Sequence, residues 1–259
     1  MLKLYHNDMS VCAAKVRIAL AEKSLGFEGV HMELRAGDTQ KPEYLKLNPN
    51  AVVPTLVHDR SVVIESTVIC EYLEDAFPEN RLRPDNAFDT ARMRLWTKQL
   101  DEGLHIAVGN LSMCIAFRHQ LLAKTPAELA AYYAGIPSAE TRERRRQSVE
   151  LGMDSPAFRP SLERWRTFCA DAERALEDGE WLAGRSFSLA DIGYTPYMIR
   201  LEQLGLATLW KHRPRLAAWR ERLFARPSYK EAIEIWLNPK YLTIFAAERP
   251  GVQRRTSTM

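Results

Sequence analysis

Over the first 77 residues, short apolar runs alternate with helical patterns. Leu2 to Tyr5 reads as a strand. Val11 to Lys23 then sets Ala13, Val16 and Leu20 at three- and four-residue spacing, as one face of a helix does. Val30 to Leu34 predicts a second strand and Pro42 to Leu47 a short helix. Thr55 to His58 and Val62 to Ile64 flank Asp59 and Arg60, a spacing that fits a tight hairpin. Ser66 to Phe77 closes the unit as a helix, with Val68, Ile69, Tyr72, Leu73 and Ala76 on its predicted apolar face. The order is βαβαββα, an α/β unit.

Residues 78–88, PENRLRPDNAF, combine two prolines with charged and turn-forming residues, the composition of a linker. Beyond it strand signals stop. Helical patterns run through Ala91 to Ala123, Ser161 to Glu177, Leu189 to Leu204 and Pro214 to Phe224, which predicts an all-α second domain. The expected division is 1–80 for the α/β domain and 89–248 for the helical one. Residues 125–158 hold three prolines and the run Arg142, Arg144, Arg145, Arg146, and read as an inserted segment that could act as a lid. The stretch after Glu248 is polar and is expected to fray.

A chain of 259 residues suits two packed domains. Lys and Arg exceed Asp and Glu by only 36 to 33, and no basic stripe with interleaved aromatics accompanies them, which argues against a nucleic-acid partner. No window approaches the ~20 apolar residues of a membrane span. Cys12, Cys70, Cys114 and Cys169 lie far apart, so neither a metal site nor a redox pair is expected, and a reducing, cytoplasmic location is. The polar residues from position 6 argue against a signal peptide.

Candidate chemistry begins at Ser10, between the first strand and first helix, where the N–H groups of a helix start favour negative charge. A thiolate suits that place. Lowering a thiol pKa by two units from about 8.5 takes roughly 2.7 kcal/mol of preferential stabilisation, within reach of a hydroxyl donor plus the helix dipole. Helix capping alone would also account for the serine. Cys12, in the first helical turn, is the competing nucleophile, or a small packing residue. Val52-Val53-Pro54-Thr55 places a proline before a strand; a cis bond there would turn the Val53 backbone outward, to pair with an extended peptide-like ligand. Glu65 and Ser66 open the last helix of the unit, where Ser66 can cap the helix or bind a carboxylate and Glu65 can accept from an ammonium group.

Together, Ser10 before a helix, VVP before a strand and ES opening a helix, all inside βαβαββα, resemble the glutathione-binding domain of the glutathione transferase superfamily. FSLADI, residues 187–192, resembles the superfamily's capping-box segment, with Ser188 as N-cap and Asp191 reaching back. The likeness is close over about the first 105 residues and looser around 161–225. It implies a thioredoxin-like N-terminal domain, an all-helical C-terminal domain, glutathione as co-substrate and a homodimer. By this resemblance Ser10 would steady the glutathione thiolate and Val53, followed by Pro54, would pair with the cysteinyl backbone. Glu65 and Ser66 would hold the γ-glutamyl end, with Asp101 reaching over from a partner subunit, and Lys41 assisted by Gln40 would meet the glycyl carboxylate. Val52 departs from the pattern, in which a long polar side chain is common.

ESTVICEYLEDAFPE, residues 65–79, and RLWTKQLDE, residues 94–102, look more narrowly like the bacterial β-etherase branch, which cleaves β-aryl ethers of lignin-derived compounds. The implied substrate is a small apolar aromatic, met by Met9, Met113 and Phe117. Three alternatives stand beside this: a detoxifying or dehalogenating transferase, a non-catalytic binding module of the same fold, and a thiol transferase or dehydroascorbate reductase acting through Cys12.

Overall fold

The strand-like runs build one mixed four-stranded sheet: β1 (Leu2–His6), β2 (Glu28–His31), β3 (Thr55–His58) and β4 (Ser61–Ile64), in the order β2-β1-β3-β4. The structure, a computed structural model, describes residues 1–136 and 138–257. β1 and β2 are parallel and therefore need a crossover, supplied by α1 (Val11–Glu22). β3 is antiparallel to both β1 and β4, and two residues suffice to join β3 to β4, with Asp59 at a φ of 55°. α2 (Pro42–Leu45) and α3 (Ser66–Ala76) complete the expected βαβαββα order. Leu4 and Leu56 of the sheet, Ala13, Val16 and Leu20 of α1, and Ile69 and Leu73 of α3 are fully buried.

Two details differ from the sequence reading. β2 ends at His31, where its partner β1 also ends, so Leu34 lies beyond the pairing and is exposed. On α3 the buried stripe is Ser66, Ile69, Cys70, Leu73 and Glu74, while Val68 is 54% exposed. A carboxylate can sit in that stripe because the buried Lys23 ammonium lies 2.8 Å from Glu74 and also donates to the carbonyls of Phe77, Glu79 and Asn80.

From Ala87 to Leu122 the chain is helical throughout: α4 (Ala87–Gln99), α5 (His105–Ser112) and α6 (Arg118–Leu122) are joined by π turns at Leu100–Leu104 and Met113–Phe117. Then follow α7 (Pro126–Ala134), α8 (Ala139–Leu151), α9 (Phe158–Ala175), α10 (Leu189–Gln203), α11 (Pro214–Phe224), α12 (Pro227–Ala232) and α13 (Pro239–Thr256). The segment read as an insertion is thus mostly two helices, the first started by a Thr125–Glu128 capping box and the second by Ser138. Its arginine run carries ion pairs along α8, from Arg144 to Glu140 and from Arg146 to Glu143 and Glu150. From Glu248 to Thr256 the tail does not fray, because Val252 is buried and Arg255 pairs with Asp154, and both hold α13 in helix to Thr256; residues 258–259 lie outside the described residues.

By compactness the chain forms two units, each assembled from separate stretches. One comprises Met1–Lys98, Ala175–Met198 and Ala218–Asn238; the other comprises Gln99–Arg174, Ile199–Ala217 and the stretch from Pro239. In the first unit Asp191 is fully buried and ties the start of α10 to its surroundings. Its carboxylate accepts from the Ser188 N–H (2.9 Å) and hydroxyl (3.1 Å), the Leu182 N–H (3.0 Å) and the Trp219 indole (2.8 Å). No helix among the described residues is long and apolar enough to cross a membrane.

Candidate active site

Strand register fixes where the candidate residues emerge. Tyr5 pairs with Thr55, Thr55 with Ile64, and His6 with His31, so the ends of β1, β2 and β4 and the beginning of β3 share one end of the sheet. Residues 7–10, 32–41, 49–54 and 65–66 all leave from there. Topology therefore gathers Met9, Ser10, Gln40, Lys41, Val53, Pro54, Glu65 and Ser66 at a single sheet end, although they are spread over 58 positions of sequence.

Ser10 is the N-cap of α1, with φ −79° and ψ 115°, and its Oγ accepts the Ala13 N–H at 3.2 Å. Accepting leaves the hydroxyl proton to donate, and among the described residues nothing takes it up. The turn before it is fastened by Asn7, whose Nδ2 donates to the Met32 carbonyl (2.9 Å), whose Oδ1 accepts the Met9 N–H (2.9 Å) and whose carbonyl accepts the Ser10 N–H (3.3 Å). Cys12 is half-buried, its Sγ 3.7 Å from the Tyr197 hydroxyl.

The Val53–Pro54 peptide is cis. Pairing of β3 starts at Thr55, so the Val53 N–H and C=O lie beyond the last rung of the ladder. The loop is pinned from behind by Tyr44 and Asn48. Tyr44 donates to the Val52 carbonyl (2.6 Å) and lies 2.8 Å from the Thr55 hydroxyl, while Asn48 Nδ2 donates to the same carbonyl (2.9 Å) and to Thr55 (3.0 Å). Burial pushes the Tyr44 phenol above its ordinary value, so it stays a donor. The Val53 side chain is buried against Met32 and Tyr44.

Ser66 does not cap α3. Glu65 occupies the N-cap position at a φ of 67°, with no side-chain cap bond, and its carboxylate receives the Asn50 amide at 3.3 Å. Ser66 is the first helical residue, and its N–H is one of those that a helix start leaves unpaired. The neighbouring Thr67 hydroxyl takes the buried Lys15 ammonium at 2.8 Å. This places a buried cation next to a helix N-terminus, where an anion is favoured. Lys41 is more than half exposed and lies 2.8 Å from Asp38 Oδ1; the contact holds the Asp38 carboxyl below its usual range and the Lys41 ammonium above its own. An incoming carboxylate would share that cation with Asp38. Gln40 is exposed beside it.

The remaining candidates lie in the second unit, within the two π turns. Asp101 is exposed in the first. Met113 and Phe117 bound the second: Met113 is buried with Leu121 and Val149, and the Phe117 ring packs 5.8 Å from both Tyr241 and Phe245, with the Arg200 guanidinium 5.2 Å away. Met9 is half-buried in the first unit. Asn7, Tyr44 and Asn48, which hold the site, escaped the sequence reading; the Asn48-Pro49 turn signal was the available clue.

Comparison with known proteins agrees with this architecture. The chain matches the family models for the glutathione S-transferase N-terminal domain over residues 1–75 and C-terminal domain over residues 139–222. It is 32% identical over 242 residues to protein LigF of Sphingobium sp. strain SYK-6, covering 90% of this chain and 93% of that protein. Glutathione S-transferase TCHQD of Arabidopsis thaliana is 27% identical over 256 residues, 94% of each chain. The crystal structure of the β-etherase LigF superposes with a TM-score of 0.81 over 90% of this chain and 99% of that one. With both domain models matched in order and a relative of this identity aligned along nearly its whole length, the chain belongs to the glutathione S-transferase family and is a glutathione transferase.

Proposed function

We propose that this transferase uses a serine-stabilised glutathione thiolate to cleave β-aryl ethers of small apolar aromatic compounds, with residues 1–80 holding glutathione and 89–248 shaping the aromatic pocket around Met113 and Phe117. The observation that carries the reading is Ser10, an N-cap whose hydroxyl accepts from Ala13 and keeps its own proton for a sulfur anion. Val53 would pair with the cysteinyl backbone, the start of α3 at Glu65 and Ser66 would take the γ-glutamyl end, and Lys41 with Gln40 the glycyl carboxylate.

In the reaction the thiolate attacks the β-carbon, the C–S bond forms as the C–O bond breaks, and the electron pair leaves with the phenolate, which water protonates. A neighbouring ketone activates the carbon, so the protein supplies thiolate, orientation and a dry wall. Incubation with glutathione and a panel of α-keto β-aryl ethers, halo-aromatics and haloalkanes tests the substrate class. Release of phenol with a glutathione thioether of the matching mass is expected. Conjugation of halo-aromatics without any phenol release would leave a general detoxifying transferase.

The first unit leaves Val62, Val68, Phe88 and Leu95 exposed on β4, α3 and α4, and these large apolar side chains in contact with solvent support a homodimer with an isologous interface. Asp101 of one copy would then serve the γ-glutamyl site of the other. Light scattering at micromolar concentration is expected to give about twice the 29.7 kDa chain mass, and a single-chain mass would refute the dimer.

A further inference from the structure

Arg17 lies on α1 two helical turns from Ser10 and is only 2% exposed. Its Nε donates to the Ala232 carbonyl at 2.9 Å; one terminal nitrogen donates to the Asn7 carbonyl at 3.2 Å and lies 3.3 Å from His6 Nδ1. The guanidinium also sits 4.9 Å from the centroid of the Trp236 ring. None of these partners is an anion. His6 is itself buried and, with the guanidinium beside it, is pushed down to about 4, so it is neutral at working pH. Among the described residues no carboxylate reaches Arg17. Asp8 is the acidic group that acts on it at longer range, and the Asp8 carboxylate is engaged by the Asn238 amide at 2.8 Å and His31 at 3.7 Å. From α12 it meets the Ala232 carbonyl, and among the described residues no charged group of α3, which packs on the same helix, acts on it.

A buried guanidinium with no carboxylate in contact is costly, and burial already lowers this one to about 10. The carbonyl it grips is the one that accepts the Ser10 N–H, so the charge lies one peptide group behind the proposed thiolate position. We propose that Arg17 is a positioning residue whose buried charge fixes the Asn7–Ser10 turn and lowers the pKa of the glutathione thiol, the bound thiolate being the anion that compensates it. This rests on the serine-thiolate reading above. From the guanidinium through the Asn7 carbonyl (3.2 Å) and the Ser10 N–H (3.3 Å) to a sulfur at the Ser10 hydroxyl is roughly 10 Å, and over that distance a unit charge at an effective dielectric of 20 moves a pKa by about one unit.

The test is the apparent pKa of bound glutathione, followed by thiolate absorbance and by the pH profile of kcat/KM, in the unaltered protein and in Arg17→Met, Arg17→Gln and Arg17→Lys. Met fills the space beside Trp236 without charge, Gln keeps an amide for the Asn7 carbonyl, and Lys keeps the charge. Both neutral variants are expected to raise the thiol pKa by about one unit with glutathione affinity changed less than about threefold, and Lys to retain the original value. A folded neutral variant with unchanged thiol pKa overturns the proposal. Failure of both neutral variants to fold while Arg17→Lys folds also overturns it, marking a framework residue. If the unaltered protein leaves the thiol near its free value of about 8.5, the serine-thiolate reading fails first.

Discussion

Replacing Asp191 by Ala is expected to lower the stability of the protein by about 3 to 5 kcal/mol, because among the described residues its carboxylate is the acceptor that several buried donors share. Removing it strands the Leu182 and Ser188 N–H groups and the Trp219 indole in a dry interior, and each stranded donor carries its own desolvation cost. For a chain of this size the loss corresponds to a melting temperature about 10 °C lower or more. Asp191→Asn retains one oxygen for Leu182 and Trp219 but turns an amide toward Ser188, so roughly half the loss is expected. Thermal melting of the two variants checks the ranking. A loss below about 3 °C for Asp191→Ala would show that water or a repacked start of α10 replaces the carboxylate. Glutathione binding below the melting range is expected to survive both changes, since Asp191 belongs to the frame and not to the sheet end.

How far the sequence could be read depends on how local each signal is. The cap at Ser10, the Asp59-Arg60 hairpin and the Ser188–Asp191 box are decided within four residues, and the structure forms all three. The gathering of Ser10, Val53 and Glu65 needs only the strand order, which the βαβαββα pattern and the family likeness supply together. Properties set by distant partners were not legible. Glu74 looks like a solvated residue until Lys23 is brought to it, and with Glu74 in the buried stripe Val68 is turned outward. The tail after Glu248 reads as polar, yet Val252 and the Arg255–Asp154 contact hold it in helix. Arg17 reads as an ordinary helix arginine, and only the fold, by closing Trp236 and Ala232 over it, shows a buried charge.

The central claim, that Ser10 stabilises the glutathione thiolate, is tested most directly by comparing Ser10→Ala with Cys12→Ala under one set of turnover and binding conditions. Ser10→Ala removes the one hydroxyl donor at the start of α1 while keeping the backbone N–H groups and the helix dipole. The barrier is expected to rise by about 2 to 3 kcal/mol, roughly a 30- to 150-fold fall in turnover. Glutathione affinity should change little, because the proposed contacts to the two ends of the tripeptide, at Val53, Glu65, Ser66 and Lys41, are untouched. Cys12→Ala should keep most of the activity, since Cys12 Sγ lies 3.7 Å from the Tyr197 hydroxyl and the proposed substitution does not use its thiol. Calorimetry supplies the affinity, phenol release from an α-keto β-aryl ether supplies the turnover, and the two are read on the same protein preparations. A large loss confined to turnover in Ser10→Ala is the predicted result; an active Ser10→Ala beside an inactive Cys12→Ala that no longer forms a mixed disulfide with glutathione would contradict it.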